Sequence, residues 1–127
     1  MVEQLKVFEN NVLALEAYGG FTEVDEKFCQ KLFSQKLEQG FDKVNILVKI
    51  DEVKITKSSI KALLEDLVWT MRNYKKMGRL AIVSNSPILE KLVVIDNFFY
   101  ANEKEGRLER YFSISEMNKA LDFINSN

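Results

Sequence analysis

The sequence predicts a single α/β domain of 127 residues with a mixed β-sheet and the element order ββαβαβαβα. Three observations support this. Two short apolar segments around a tight turn open the chain and favour an antiparallel hairpin. After them, segments typical of buried strands alternate with amphipathic segments typical of helices. The length fits one core and 46% of the residues are hydrophobic, so we expect one domain over residues 1–127.

Turn and capping residues predict the opening hairpin and the first helix. Asn10 and Asn11 tolerate the left-handed backbone of a tight turn, and the apolar segments on either side of them favour two strands. Thr22 and Asp25 form a capping box, and Gly40 suits the end of the helix that this box begins. The helix is expected to bury four apolar residues: Val24, Phe28, Leu32 and Phe33.

Apolar periodicity predicts the middle of the chain. The segment 44–50 mostly alternates apolar and polar residues, and the segment 80–83 is continuously apolar, as a central parallel strand is. Between them, residues 60–71 carry one apolar stripe at helical spacing. Ser86, followed by a proline, favours the start of a third helix.

The end of the chain predicts one more strand and one more helix. Tyr111 and Phe112 form a short apolar pair, and Ser113 with Glu116 makes a second capping box. No apolar run approaches the roughly 20 residues that cross a bilayer, so we expect no transmembrane segment.

Composition excludes several functional classes. The net charge of −1 supplies no general attraction to nucleic acid. The chain has no histidine, which removes the commonest general base and metal ligand, and it has no glycine-rich phosphate loop. Its single cysteine, Cys29, is expected to be a small core residue. We therefore expect a cytoplasmic protein that is not an enzyme and needs no metal or cofactor.

The run from Asp66 through Asn85, followed by Pro87 and closed by RYFSISEMNKALDFI, resembles the bacterial family similar to sporulation stage II protein AA. That family belongs to the STAS-like superfamily of anti-sigma-factor antagonists. The resemblance covers nearly the whole chain in element order. It implies a STAS-like sheet with helices mostly on one side, and a regulatory or protein-interaction module that binds a protein partner.

The resemblance also implies a functional surface at the start of the second helix, where an antagonist carries a phosphorylatable serine between an aspartate and a glycine. Ser58 matches this serine and Ser59 follows it, whereas Lys57 replaces the aspartate and Ile60 the glycine. Apart from the resemblance, Lys57 and Lys61 leave this helix start without an acid against its dipole. It is either an anion-binding or phosphoacceptor site, or a capped end whose lysines lie in water.

Trp69 is a candidate partner surface on the same helix. It lies roughly 180° from Ile60, opposite the apolar stripe and beside Glu65 and Arg72. Tryptophan is enriched at protein interfaces, but another segment of the chain could equally cover it.

The segment 92–100 is apolar nearly all round if it is helical, so something must cover it. It is a buried segment, a homodimer contact or the wall of a cavity for a small apolar ligand, as in CRAL-TRIO-like domains that resemble this class. If it is not helical, its β-branched residues could form an extra strand. The candidate contact residues are Leu92, Val94, Ile95, Phe98 and Phe99.

Overall fold

The computed structural model of the chain describes residues 1–18, 22–50, 76–85 and 109–125. These ranges contain five strands, two α-helices and a 3-10 turn. In chain order the elements are β1 (Val2–Val7), β2 (Val12–Ala17), α1 (Glu23–Glu38), β3 (Val44–Ile50), β4 (Met77–Ser84), β5 (Glu109–Ser113), the turn Ile114–Glu116 and α2 (Met117–Asn125). The second and third predicted helices lie outside the described residues.

The strands form one mixed sheet in the order β1-β2-β3-β4-β5. β1 runs antiparallel to β2, and each of the next three pairs is parallel. This confirms the predicted α/β fold with a mixed sheet. Because β2 to β5 are parallel, their last residues meet at one edge of the sheet, which we call the carboxyl edge. These residues are Ala17, Ile50, Ser84 and Ser113.

Both faces of the sheet are apolar and each is covered by a described helix. On the first face, α1 contributes Cys29, Leu32 and Phe33 to a core with the even-numbered residues of β3. On the second face, α2 packs against the centre of the sheet through Ala120, Phe123 and Ile124. The inner strands are therefore buried on both sides, which explains their nearly continuous apolar sequence. The prediction that helices lie mostly on one side depends on the two predicted helices outside the described residues.

The first helix begins and ends as predicted. Asp25 accepts hydrogen bonds from the backbone N–H and the hydroxyl of Thr22, and Gly40 adopts the left-handed conformation, φ 98°, just past the helix end. Cys29 is buried as expected. The prediction for Val24 is wrong, because its side chain is 76% exposed. At the start of α1, the buried position that faces the sheet is Asp25 instead. Its carboxylate accepts a hydrogen bond from the N–H of Val2.

A buried asparagine links β3, β4 and α2. The amide nitrogen of Asn45 donates to the carbonyl of Ile124 at 2.7 Å, and its amide oxygen accepts the N–H of Arg79 at 2.8 Å. The β3–β4 register shifts at this point. A Cβ atom on Gly78 would lie 2.3 Å from the Asn45 oxygen. Gly78 is therefore a residue of β4 whose lack of a side chain leaves room for Asn45.

Gly78→Ala is expected to lower the free energy of unfolding by about 2 kcal/mol, because its methyl group displaces the Asn45 side chain from two hydrogen bonds. Urea denaturation followed by circular dichroism measures this. In an Asn45→Ala background the space is already open, so the same substitution should cost less than about 1 kcal/mol. Equal costs in both backgrounds would contradict the steric role.

Candidate functional site

The sequence-predicted site residues lie outside the described residues. They are Lys57, Ser58, Ser59, Lys61, Glu65, Trp69, Arg72, Leu92, Val94, Ile95, Phe98 and Phe99. The structure does place the strand ends from which their segments leave the sheet. The chain leaves β3 after Ile50 and β4 after Ser84, and both residues lie at the carboxyl edge. Ligands of parallel α/β sheets commonly bind at this edge, which makes it the candidate functional site.

Ser84 is the unusual residue of the carboxyl edge. Its side chain is fully buried, and its hydroxyl has no hydrogen-bond partner in the part of the chain that the structure describes. In the β4–β5 register it pairs with Ser113. A buried hydroxyl without a partner carries a desolvation cost that few native side chains retain.

The neighbouring Ser113 has several partners. Its N–H donates to the carboxylate of Glu116 at 3.0 Å, its hydroxyl donates to the same oxygen at 2.9 Å, and the hydroxyl of Ser115 lies 2.9 Å away. The bonds from Ser113 hold the pKa of Glu116 below its usual value. The second capping box predicted from the sequence therefore exists, and it fixes a negative charge beside the end of β5.

Three other described groups with shifted pKa values serve the fold. Burial raises the pKa of the Cys29 thiol to about 11, so it is not a thiolate nucleophile at neutral pH. Burial lowers the pKa of Lys36, whose ammonium donates to the carbonyls of Phe8 and Asn10 at 2.6 and 2.5 Å. Burial disfavours the charged form of Asp25, but the bonds from Thr22 and Val2 outweigh it and lower the pKa.

Within the described ranges, no group of three or more histidine, cysteine, aspartate or glutamate residues could hold a metal ion. No helix among these residues is long and apolar enough to cross a membrane. The arrangement that remains at the carboxyl edge is a set of small hydroxyl groups and one fixed carboxylate.

An open groove of about 410 Å³ lies where the start of α1 meets β1. Its walls are mostly apolar, and its lining residues are Met1, Val2, Thr22, Val24, Asp25 and Phe28. Sequence reasoning missed this groove because it assigned Val24 to the core. The signal that could have found it is the angular offset of Val24 from the stripe formed by Cys29 and Leu32.

Within the described residues, a mixed sheet of five strands with two α-helices is consistent with a small α/β domain of the STAS-like class. The family model described as SpoIIAA-like matches residues 12–125, from the first residue of β2 to the last residue of α2. The chain belongs to the SpoIIAA-like family, which confirms its resemblance to STAS-like anti-sigma-factor antagonists. Searches of curated proteins and of solved structures found no match.

Alanine substitutions of the two paired serines are expected to have opposite effects. Ser84→Ala should raise the free energy of unfolding by about 1 kcal/mol, because it removes a buried hydroxyl without a partner. Ser113→Ala should lower it by about 1 kcal/mol, because it removes the hydroxyl that donates to the carboxylate of Glu116. Urea denaturation of the two variants beside the wild type checks this, and a loss of stability in Ser84→Ala would show that its hydroxyl is satisfied.

Proposed function

We propose that the chain is a non-catalytic regulatory domain that binds a protein partner in the manner of anti-sigma-factor antagonists. The observation that carries this proposal is its membership of the SpoIIAA-like family, with a match that runs from β2 to α2. We place the protein in the cytoplasm, where a free cysteine such as Cys29 stays reduced.

The proposed contact surface is the segment that follows β3. Ser58 comes eight residues after Ile50, which ends β3 at the carboxyl edge. Connections that leave neighbouring parallel strands at this edge start close together, so the segment begins beside the end of β4. We assign partner contact to Ser58 and Ser59 with their flanking lysines, and to Trp69 with Glu65 and Arg72. Ser58 and Ser59 are the proposed phosphoacceptors.

A photo-crosslinking amino acid placed at position 69 or 59 is expected to trap a discrete protein partner in living cells, because both positions lie in the proposed surface. The matched control is the same amino acid at Lys31, an exposed position of α1. Adducts are measured by gel mobility and identified by mass spectrometry. The absence of adducts from both test positions, or the same adducts from position 31, would contradict the proposal.

The wild type and the variant with the crosslinker at position 69, which both retain Ser58 and Ser59, test the phosphorylation switch separately. Mass spectrometry of the isolated protein measures phosphate on Ser58 and Ser59, and the exposed Ser34 of α1 serves as the reference serine. If a partner is crosslinked but neither test serine carries phosphate, the result supports partner binding and contradicts the phosphorylation switch.

The groove beside α1 favours a second candidate function, the binding or carriage of a small apolar ligand such as a fatty acid. Its volume of about 410 Å³ falls in the range of small-molecule sites, and Val24 and Phe28 offer an apolar wall. The sequence of the segment 92–100 also predicts a contact with an apolar ligand. This segment therefore stays a candidate wall of the ligand site or a candidate homodimer contact.

Native mass spectrometry of freshly purified protein should then show a bound species with the mass of a fatty acid. Val24→Asp is expected to remove it, because the substitution places a carboxylate in the groove, and the exposed side chain is not needed for folding. Lys31→Asp is the control for an added acid elsewhere on α1. A protein mass without any ligand under mild conditions would argue against this function.

A further inference from the structure

Two arginines stand side by side on the second face of the sheet. Arg110 pairs in register with Ala81, and Arg79 lies two residues before Ala81 on β4. Ala81 belongs to the core of the second face, so all three residues share that face and the arginines are diagonal neighbours. Each guanidinium carbon lies 5.1 Å from the centre of the Phe123 ring. The two cations are therefore no more than about 10 Å apart.

The aromatic ring that both arginines contact is held in place by packing. Phe123 is only 7% exposed and packs against the ring of Phe112, with 5.8 Å between the ring centres. Arg79 is held further by a hydrogen bond from its Nη1 to the carbonyl oxygen of Phe123, at 3.0 Å. Both guanidinium groups are therefore held in place before binding, so an incoming group would lose little free energy to the ordering of these side chains.

The positive charge of the pair is not neutralised within the described residues. Arg79 donates to the carbonyl of Phe123 and lies over its ring, and Arg110 lies over the same ring. Arg79 is half-buried and Arg110 is exposed, so the two like charges repel each other at low ionic strength and salt screens this repulsion. The planar fork of each guanidinium suits the two oxygens of a carboxylate.

We propose that Arg79 and Arg110 together bind a carboxylate group of an acidic segment in the protein partner. This inference deepens the proposed function and rests on it. A protein segment fits better than nucleic acid, because a net charge of −1 provides no wide basic surface for a phosphate backbone. The buried ring of Phe123 also leaves no exposed platform for a base to stack on.

This arginine surface is separate from the carboxyl edge. Arg79 precedes Ser84 by five positions on β4, about 16 Å along the strand, and Arg110 precedes Ser113 by three positions on β5, about 10 Å along the strand.

The test is a titration of the ¹⁵N-labelled full chain with hexaglutamate at low ionic strength, observed through the arginine Nε–H signals in NMR spectra. We expect the signals of Arg79 and Arg110 to shift together. Arg110→Gln should weaken the apparent affinity about ten-fold, because it removes one of two charge-assisted contacts. Lys31→Gln, a substitution of an exposed cation on α1, should leave the affinity unchanged.

Unshifted arginine signals at millimolar peptide, or an equal loss of affinity in the Lys31 variant, would overturn the proposal. Tighter binding of hexathymidylate or inorganic phosphate than of hexaglutamate would overturn the assignment to an acidic protein segment. Backbone amide spectra confirm that the variants fold. Because the titration needs no cellular partner, its failure is distinguishable from a failure of the crosslink at position 69.

Discussion

The side chain of Asn45 links β3, β4 and α2, whose relative positions apolar packing alone would not fix. It is 5% exposed, and its amide group bonds to the N–H of Arg79 in β4 and to the carbonyl of Ile124 at the end of α2. Its backbone N–H also donates to the carbonyl of Asn11 before β2. Hydrogen bonds are directional and an unpaired buried amide is costly, so this residue sets the position of α2 on the sheet.

Two polar side chains on the inner stripe of α1 fasten the opening hairpin in a similar way. Lys36 reaches the carbonyls of the β1–β2 turn, and Asp25 accepts the N–H of Val2. The bond between Asp25 and Val2 also occupies a backbone N–H donor at the start of β1, which is an edge strand of the described sheet. Edge strands with free backbone groups invite pairing with other chains, and Asp25 protects this end of β1 from it.

The proposed function uses two parts of the sheet differently. At the carboxyl edge, Ser84 and Ser113 end β4 and β5 beside the end of β3, from which the chain departs toward Ser58. On the second face, Arg79 and Arg110 present two cations on the ring of Phe123. A surface of this kind recognises a partner by shape and charge, which agrees with a regulatory role and requires no reacting group.

Features that depend on near neighbours followed from the sequence. The bounds of β3, both capping boxes and the end of α1 at Gly40 were predicted correctly, because a strand period or a helix cap involves residues within about four positions. The family resemblance was also readable from the sequence. The phosphoacceptor and partner residues stay predictions, since they lie outside the described residues.

Only the tertiary structure decided the burial of Asn45 and the steric role of Gly78. The partner of Asn45 in α2 is 79 positions away, and Arg79 meets the carbonyl of Phe123 across 44 positions. The groove and the arginine pair likewise join residues from different elements. The sequence determined which segments form strands and helices, whereas their mutual packing decided which side chains meet, because such contacts form only after distant segments have come together.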